Sequence, residues 1–320
     1  MSIRHTATCL ILAAIATGAA IFVARHNADK APRRVEWPVM GTIAGIAFRG
    51  GDADAHDVIR ESVQHTYSHL NALLSAWNPE SELCRLVREG NTNLCERASP
   101  EVQQCYRAAQ ELADTSHLAF NPRVGTRMRE LGFSRGKTFC DFDLGAIAKG
   151  FAVDTACNAL PRDLPIEGLL IDLGGNLRAV RGEWRTGVRN PFGDGLAATL
   201  VLAEGESVAT RGNYERFVGR DGIRYPHILD GRTGKPVTGI AGVTVVTPAA
   251  LGATLADGLS TTLFVLGPEN GLRFLREHSA VYGAAQALWI PDTPESPSIL
   301  ATKEMAARLS RTAFQVQVLR

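Results

Sequence analysis

Asp257, Ser260 and Thr261 stand at i, i+3 and i+4 within the apolar run 255–266. That spacing sets three hard oxygens on one face of a helix. A carboxylate in so apolar a helix is costly to bury without a partner, and oxygen donors of this kind suit Mg²⁺ or Ca²⁺. The same residues have a ligand-free reading, in which Asp257 caps the helix and Thr261 bonds back to the preceding turn. Both readings stand on this segment alone.

Three further stretches carry candidate chemistry. In 141–154, Gly145 and Gly150 permit tight backbone geometry, so that main-chain groups near Ala146 can face a ligand, and Lys149 brings a mobile positive charge suited to phosphate. The alternative is a turn opening an amphipathic helix with Lys149 and Asp154 at its surface. In 171–177, a β-rich run ends in Gly174 and Gly175, where a ligand can approach the backbone, but the G-x-G-x-x-G dinucleotide pattern is absent. The polar segments 207–214 and 225–234 hold Thr210, Arg211, His227, Asp230 and Thr233. His227 could move a proton near neutral pH or serve as a satisfied structural histidine.

The elements that must position these residues follow from patterning. Residues 30–34 read as a basic linker and 42–48 as a strand. Residues 52–74 read as an amphipathic helix, and Ser99 with Pro100 starts a second one. Short β-rich runs follow at 168–172, 184–188, 198–202 and 242–246, bounded by glycine turns. The helix of Asp257, a separate helix over 268–278 and a strand at 287–290 complete the order. Helices and strands mix without a βαβ rhythm, which favours a single α+β domain of mixed helices and short strands over a doubly wound sheet.

The 320 residues are 45 % apolar and 21 % charged with net charge +1, an ordinary globular composition that gives no electrostatic footprint for nucleic acid. Arg4 and His5 precede an almost unbroken apolar run over 7–24, so residues 1–30 read as a signal peptide or membrane anchor and 31–320 as an exported domain. The absence of a clean small-x-small site leans toward an anchor. Six cysteines contain no C-x-x-C or Cys/His cluster, which argues against zinc, while Cys84 and Cys95 are close enough in sequence to bridge in an oxidising compartment.

Taken in order, these segments resemble the ApbE family of FAD:protein FMN transferases. The matching residues are Met40-Gly-Thr42, Leu74-Ser-Ala-Trp77 with Ser81-Glu-Leu83, and Phe120-Asn-Pro122, followed by the 143–150 motif Asp-Leu-Gly-Ala-Ile-Ala-Lys-Gly with Asp154. Leu173-Gly-Gly-Asn176, Ser207-Val-Ala-Thr210, His227-Ile-Leu-Asp230 with Thr233-Gly234, and Ala256-Asp257 with Thr261 complete the set. The resemblance runs from about residue 39 to the C-terminus. It implies an Mg²⁺-dependent enzyme that splits FAD, joins FMN through a phosphoester to a Ser or Thr of a target flavoprotein, and releases AMP. By the same resemblance Asp257, Thr261, Ser260 and the carbonyl of Ala146 bind the metal. Met40, Trp77, Ala119, Phe120, Asn121, Asp143, Lys149, Thr210 and Ile228 line the FAD site. A base must still activate the target's hydroxyl, and His227 and Asp257 are both candidates. The implied setting is the periplasmic side of a bacterial inner membrane, with a respiratory membrane flavoprotein as acceptor.

The chain departs from that pattern at three places. Asn121 stands where Asp is expected, with Arg123 after it in place of Thr. Arg211 replaces a small Ser beside the expected phosphates, and the stretch 133–143 is short. Two other functions use the same residues: an FAD pyrophosphatase giving free FMN and AMP, and a non-catalytic, membrane-tethered FAD-binding protein.

Overall fold

The computed structural model describes residues 31–90, 94–133, 140–214, 217–220 and 223–320. The apolar segment 7–24, with its anchor or signal reading, lies outside them, as does most of the short stretch 133–143.

An N-terminal hairpin, β1 (Arg33–Val39) and β2 (Thr42–Arg49), leads into α1 (Ala53–Leu74), α2 (Glu82–Arg88), α3 (Leu94–Arg97), α4 (Pro100–Thr115), α5 (Gly125–Glu130) and α6 (Ala148–Ala159). Strands β3 (Gly168–Leu173), β4 (Asn176–Arg181), β5 (Trp184–Arg189), β6 (Leu196–Leu202) and β7 (Ser207–Gly212) follow. Next come the short pairs β8 (Phe217–Arg220) with β9 (Ile223–Pro226) and β10 (Leu229–Asp230) with β11 (Lys235–Pro236). The chain closes with β12 (Ile240–Thr247), α7 (Gly252–Glu277), α8 (Ser279–Tyr282), β13 (Gln286–Pro291), β14 (Ser298–Ala301), α9 (Lys303–Arg308) and β15 (Gln315–Val318). The α+β expectation holds.

Among the described residues, one sheet runs β1-β2-β3-β4-β7-β12-β13-β14-β15, antiparallel except for β14–β15. Alternation along its strands makes two cores. Ile46, Phe48, Leu169, Ile171, Val243, Val245 and Trp289 face the helices α1, α4, α6 and α7. Ala47, Leu170, Val208, Val246, Leu288 and Ile290 face the β5–β6 hairpin, whose Trp184 and Leu200 fill the second core with Met305 of α9.

Local chemistry explains most boundaries. Asp52 caps α1 by accepting from the Ala55 amide at 2.8 Å. Gly174 and Gly175, at φ 61° and 86°, form the two-residue turn between β3 and β4, a geometry that demands positive φ at both positions. The Gly-Gly pair therefore closes a hairpin.

Two expectations need correction. The basic stretch 30–34 is not a linker throughout, because Arg33 and Arg34 begin β1, whose outward charges suit the edge of a sheet. By contrast, the separate helices expected at Asp257 and at 268–278 are both present, α7 being two helical stretches that meet at a kink at Gly267 (φ 73°, ψ 178°) before Pro268. Cys84, expected as one half of a disulfide, is a free thiol. It faces Cys140, and the hydrogen bond between the two thiols holds Cys84 down at about 6.

Candidate functional site

Helix α7 packs on β7 and β12 on one side and on α6 on the other, and this sandwich buries Asp257 completely. The carboxylate lies in the second turn of α7, too deep to cap it. The cap comes from α6 instead. Asp154 accepts from the amides of Ala253 and Thr254 at 2.8 Å each and from the Thr254 hydroxyl at 2.6 Å, and Arg178 pairs with it at 2.5 Å. A carboxylate at this end also complements the helix dipole. Asp154 thus belongs to the framework beneath the site.

Both oxygens of Asp257 are occupied. Oδ2 accepts from the Gly150 amide at 3.0 Å, and Oδ1 accepts from Arg211 Nη2 at 2.5 Å. The approach of α6 depends on Gly150, since a Cβ there would lie 2.1 Å from the Ala253 carbonyl oxygen and 2.7 Å from Asp257 Cβ. Arg211 comes from β7, where its register partner is Val243 of the helix-side core. Strand alternation accordingly points Arg211 at α7 and sends Thr210 to the opposite face, where its hydroxyl lies 2.9 Å from that of Thr244.

The turn opening α6 completes the arrangement. The Gly145 amide donates to Asp143 Oδ1 at 2.8 Å, and the Gly145 carbonyl accepts from Lys149 Nζ at 2.8 Å and from Arg211 Nη2 at 3.3 Å. Two cations thus converge on one carbonyl. The Asp143 amide donates to the Pro122 carbonyl at 2.7 Å, tying this turn to the segment 119–122. There, Asn121 Nδ2 donates to the Gly231 carbonyl at 3.0 Å, while its Oδ1 accepts from the Arg123 amide at 2.8 Å. The Gly231 amide donates to the Ala119 carbonyl at 3.3 Å. A continuous hydrogen-bonded ridge therefore runs from the loop after β10, through Asn121 and Asp143, to Lys149, Arg211 and Asp257. Asn121 meets its position's demand for a donor and an acceptor as an amide, which an ionised Asp could not do. Arg123 lies over the Phe142 ring at 4.3 Å.

The remaining sequence-predicted residues fall into two groups. Met40, at φ 49°, shapes the β1–β2 turn, and Trp77 is 47 % exposed just beyond α1. Ala146 is half-buried in the turn before α6, and His227 is half-buried directly after β9. Phe120 and Ile228 are buried, Phe120 with its ring in the helix-side core.

The donor set does not fit a divalent cation at Asp257. Such an ion needs open oxygen ligands, yet Arg211 and the Gly150 amide engage both carboxylate oxygens. Ser260, expected as a further ligand, donates its hydroxyl to the Asp257 carbonyl at 2.7 Å. Among the described residues only Thr261 Oγ1, buried without a partner, is left of the expected side-chain donors. No group of three His, Cys, Asp or Glu side chains is gathered among those residues either. What reasoning from the sequence missed is the Arg211–Asp257 pair. Its signal was a lone arginine among small residues in a strand, and a lone carboxylate in the apolar run 255–266.

Comparison with known proteins gives the site its context. The ApbE family matches residues 40–141 and 137–285. An FAD:protein FMN transferase of Treponema pallidum (strain Nichols) is 35 % identical over 223 residues, 53 % of this chain and 60 % of its own length. One from Rhodobacter capsulatus is 37 % identical over 174 residues, 52 % of this chain and 31 % of its own length. The chain therefore spans less than two thirds of the length of these relatives. The crystal structure of the ApbE protein of Thermotoga maritima superposes with a TM-score of 0.73 at 25 % identity, covering 87 % of this chain and 99 % of the other. That of the Pseudomonas stutzeri flavinyl transferase ApbE shares the fold at a TM-score of 0.69 and 24 % identity, covering 87 % and 96 %. With the family matched across the sheet, the ridge and α7 alike, the chain belongs to the ApbE family.

Proposed function

We propose that this protein is an FAD:protein FMN transferase. The acceptor hydroxyl, from a Ser or Thr of a target flavoprotein, attacks the phosphorus on the FMN side of the FAD pyrophosphate. The P–O–P bond breaks, FMN stays on the acceptor as a phosphoester, AMP departs, and the hydroxyl proton passes to a base. The observation that carries this reading is the convergence of Lys149 and Arg211 on the Gly145 carbonyl, which concentrates positive charge at one turn suited to a pyrophosphate. Exposed Trp77 supplies an aromatic face for a ring of the dinucleotide. Asp257 is a poor base because both its oxygens are engaged, so His227 is the better candidate for the proton. The Mg²⁺ dependence expected from the sequence forms no step in this reading.

The apolar segment 7–24 after Arg4 supports placing the domain on the periplasmic side of a bacterial inner membrane, with acceptors among membrane flavoproteins. The test is to incubate the full chain with FAD and a candidate acceptor domain, weighing the acceptor by mass spectrometry and resolving the nucleotides. An acceptor heavier by one FMN moiety, with AMP formed in step, is the expected result. Free FMN and AMP beside an unmodified acceptor would replace transfer by hydrolysis. Intact bound FAD with several active acceptors would make the protein a carrier.

A further inference from the structure

We infer that the Arg211 guanidinium is the resident cation of this site and holds the FAD pyrophosphate without a divalent metal ion; the inference rests on the FAD-binding part of the proposed function. Three observations lead there. First, a single nitrogen, Arg211 Nη2, touches both Asp257 Oδ1 at 2.5 Å and the Gly145 carbonyl at 3.3 Å. It thereby takes a carboxylate oxygen that a metal ion at Asp257 would use, and it is anchored at the same time to the turn that precedes α6. Second, this is no surface arginine free to leave. Arg211 is 7 % exposed, its face is fixed by the β7–β12 register, and its departure would strand the Asp257 charge in a fully buried position.

The third observation decides between a metal and an anion. Two polar atoms of the site, Arg211 Nε and Thr261 Oγ1, are buried with no partner among the described residues. Thr261 lies one turn beyond Asp257 on the same face of α7. Orphans of this kind in a folded protein call for a ligand. A divalent ion would satisfy the threonine oxygen but would be repelled by Arg211, whose N–H it cannot pair. An anionic oxygen can accept from either of these groups. Guanidinium also presents several donors in a planar fork that matches phosphate geometry.

The test uses the full chain and two separate readouts. Mn²⁺, visible by electron paramagnetic resonance, reports cation binding, and flavin fluorescence reports FAD binding in chelator and in Mg²⁺. Wild type is expected to show no stoichiometric Mn²⁺ and an FAD affinity that the two buffers change by no more than about twofold. Arg211→Ser, checked for folding by circular dichroism, is expected to gain one Mn²⁺ and to lose at least about tenfold in FAD affinity when chelator is added. One Mn²⁺ bound to the wild type and removed by Asp257→Asn would overturn the inference while leaving FAD binding, and with it the proposed function, intact. No FAD binding in either buffer would instead sink the proposed function, and this inference with it.

Discussion

The amide of Gly150 on α6 donates to Asp257 Oδ2 on α7 at 3.0 Å, and this contact sets the distance between the two helices. It exists because residue 150 has no side chain, for a Cβ would press on the backbone of Ala253. Gly150→Ala is therefore expected to lower stability by at least about 1–3 kcal/mol, as overpacking does. It should also reduce flavin transfer in the molecules that still fold, because Asp257 and Arg211 are displaced together. Chemical denaturation alongside the acceptor-labelling assay would check both. An alanine variant as stable as wild type would mean that α6 and α7 separate freely.

The Arg211–Asp257 pair makes a distinctive prediction about stability. Removing either partner leaves the other charged and buried, so Asp257→Leu and Arg211→Met should each cost about 3–5 kcal/mol. Asp257→Leu combined with Arg211→Met removes both charges and fills the space with apolar atoms, so the double variant should be more stable than either single one. Urea unfolding of all the variants closes the cycle. Strict additivity would show that the two side chains do not pair in solution.

These two residues also mark where sequence reasoning reached its limit. Helix α1 was legible because Val63, Tyr67, Leu70 and Leu74 recur at helical spacing behind an Asp cap. Strands β3, β5, β6 and β12 announced themselves as β-rich runs bounded by glycine turns, and β13 as the apolar run 287–290. Which face of β7 carries Arg211 depends on its register with β12, and the run Ser-Val-Ala-Thr-Arg-Gly has too little polar contrast to reveal it. The oxygens of Asp257, Ser260 and Thr261 do share one helix, yet those of Asp257 are engaged from elsewhere in the chain, that of Ser260 by the backbone, and that of Thr261 by nothing among the described residues. Strand β1 was hidden because the charges of an edge strand read like those of a linker.

Asp154 offers a second long-range test. It caps α7 from 99 residues earlier in the chain and holds Arg178 at the same time. Asp154→Ala should cost about 1–2 kcal/mol for the lost cap, with a further loss from the stranded arginine. Asp154→Asn keeps one acceptor and should recover part of the difference. Hydrogen exchange at Ala253 and Thr254 would locate the effect, and unchanged protection there would show that α7 is capped by other means.

Asp172, at the end of β3, is buried beneath the Gly174–Gly175 turn. Burial is the main influence on it and pushes its carboxyl up to about 6, against the pull of the Gly175 amide and Arg34. The unfolded chain has the usual value of about 3.9. Between these values the folded protein binds the proton more tightly than the unfolded one, so stability is greatest below about pH 4 and declines as pH rises toward about 6. Asp172→Asn removes the charge and retains an acceptor for Gly175. Arg34, which also pairs with Glu36, loses only one of its two carboxylates. The variant should therefore be more stable than wild type by about 1–3 kcal/mol at pH 7.5, with little advantage at pH 4. Denaturation curves at the two pH values measure the difference directly. An advantage of equal size at both would mean that the carboxyl does not titrate in this window and that Arg34 holds it ionised throughout.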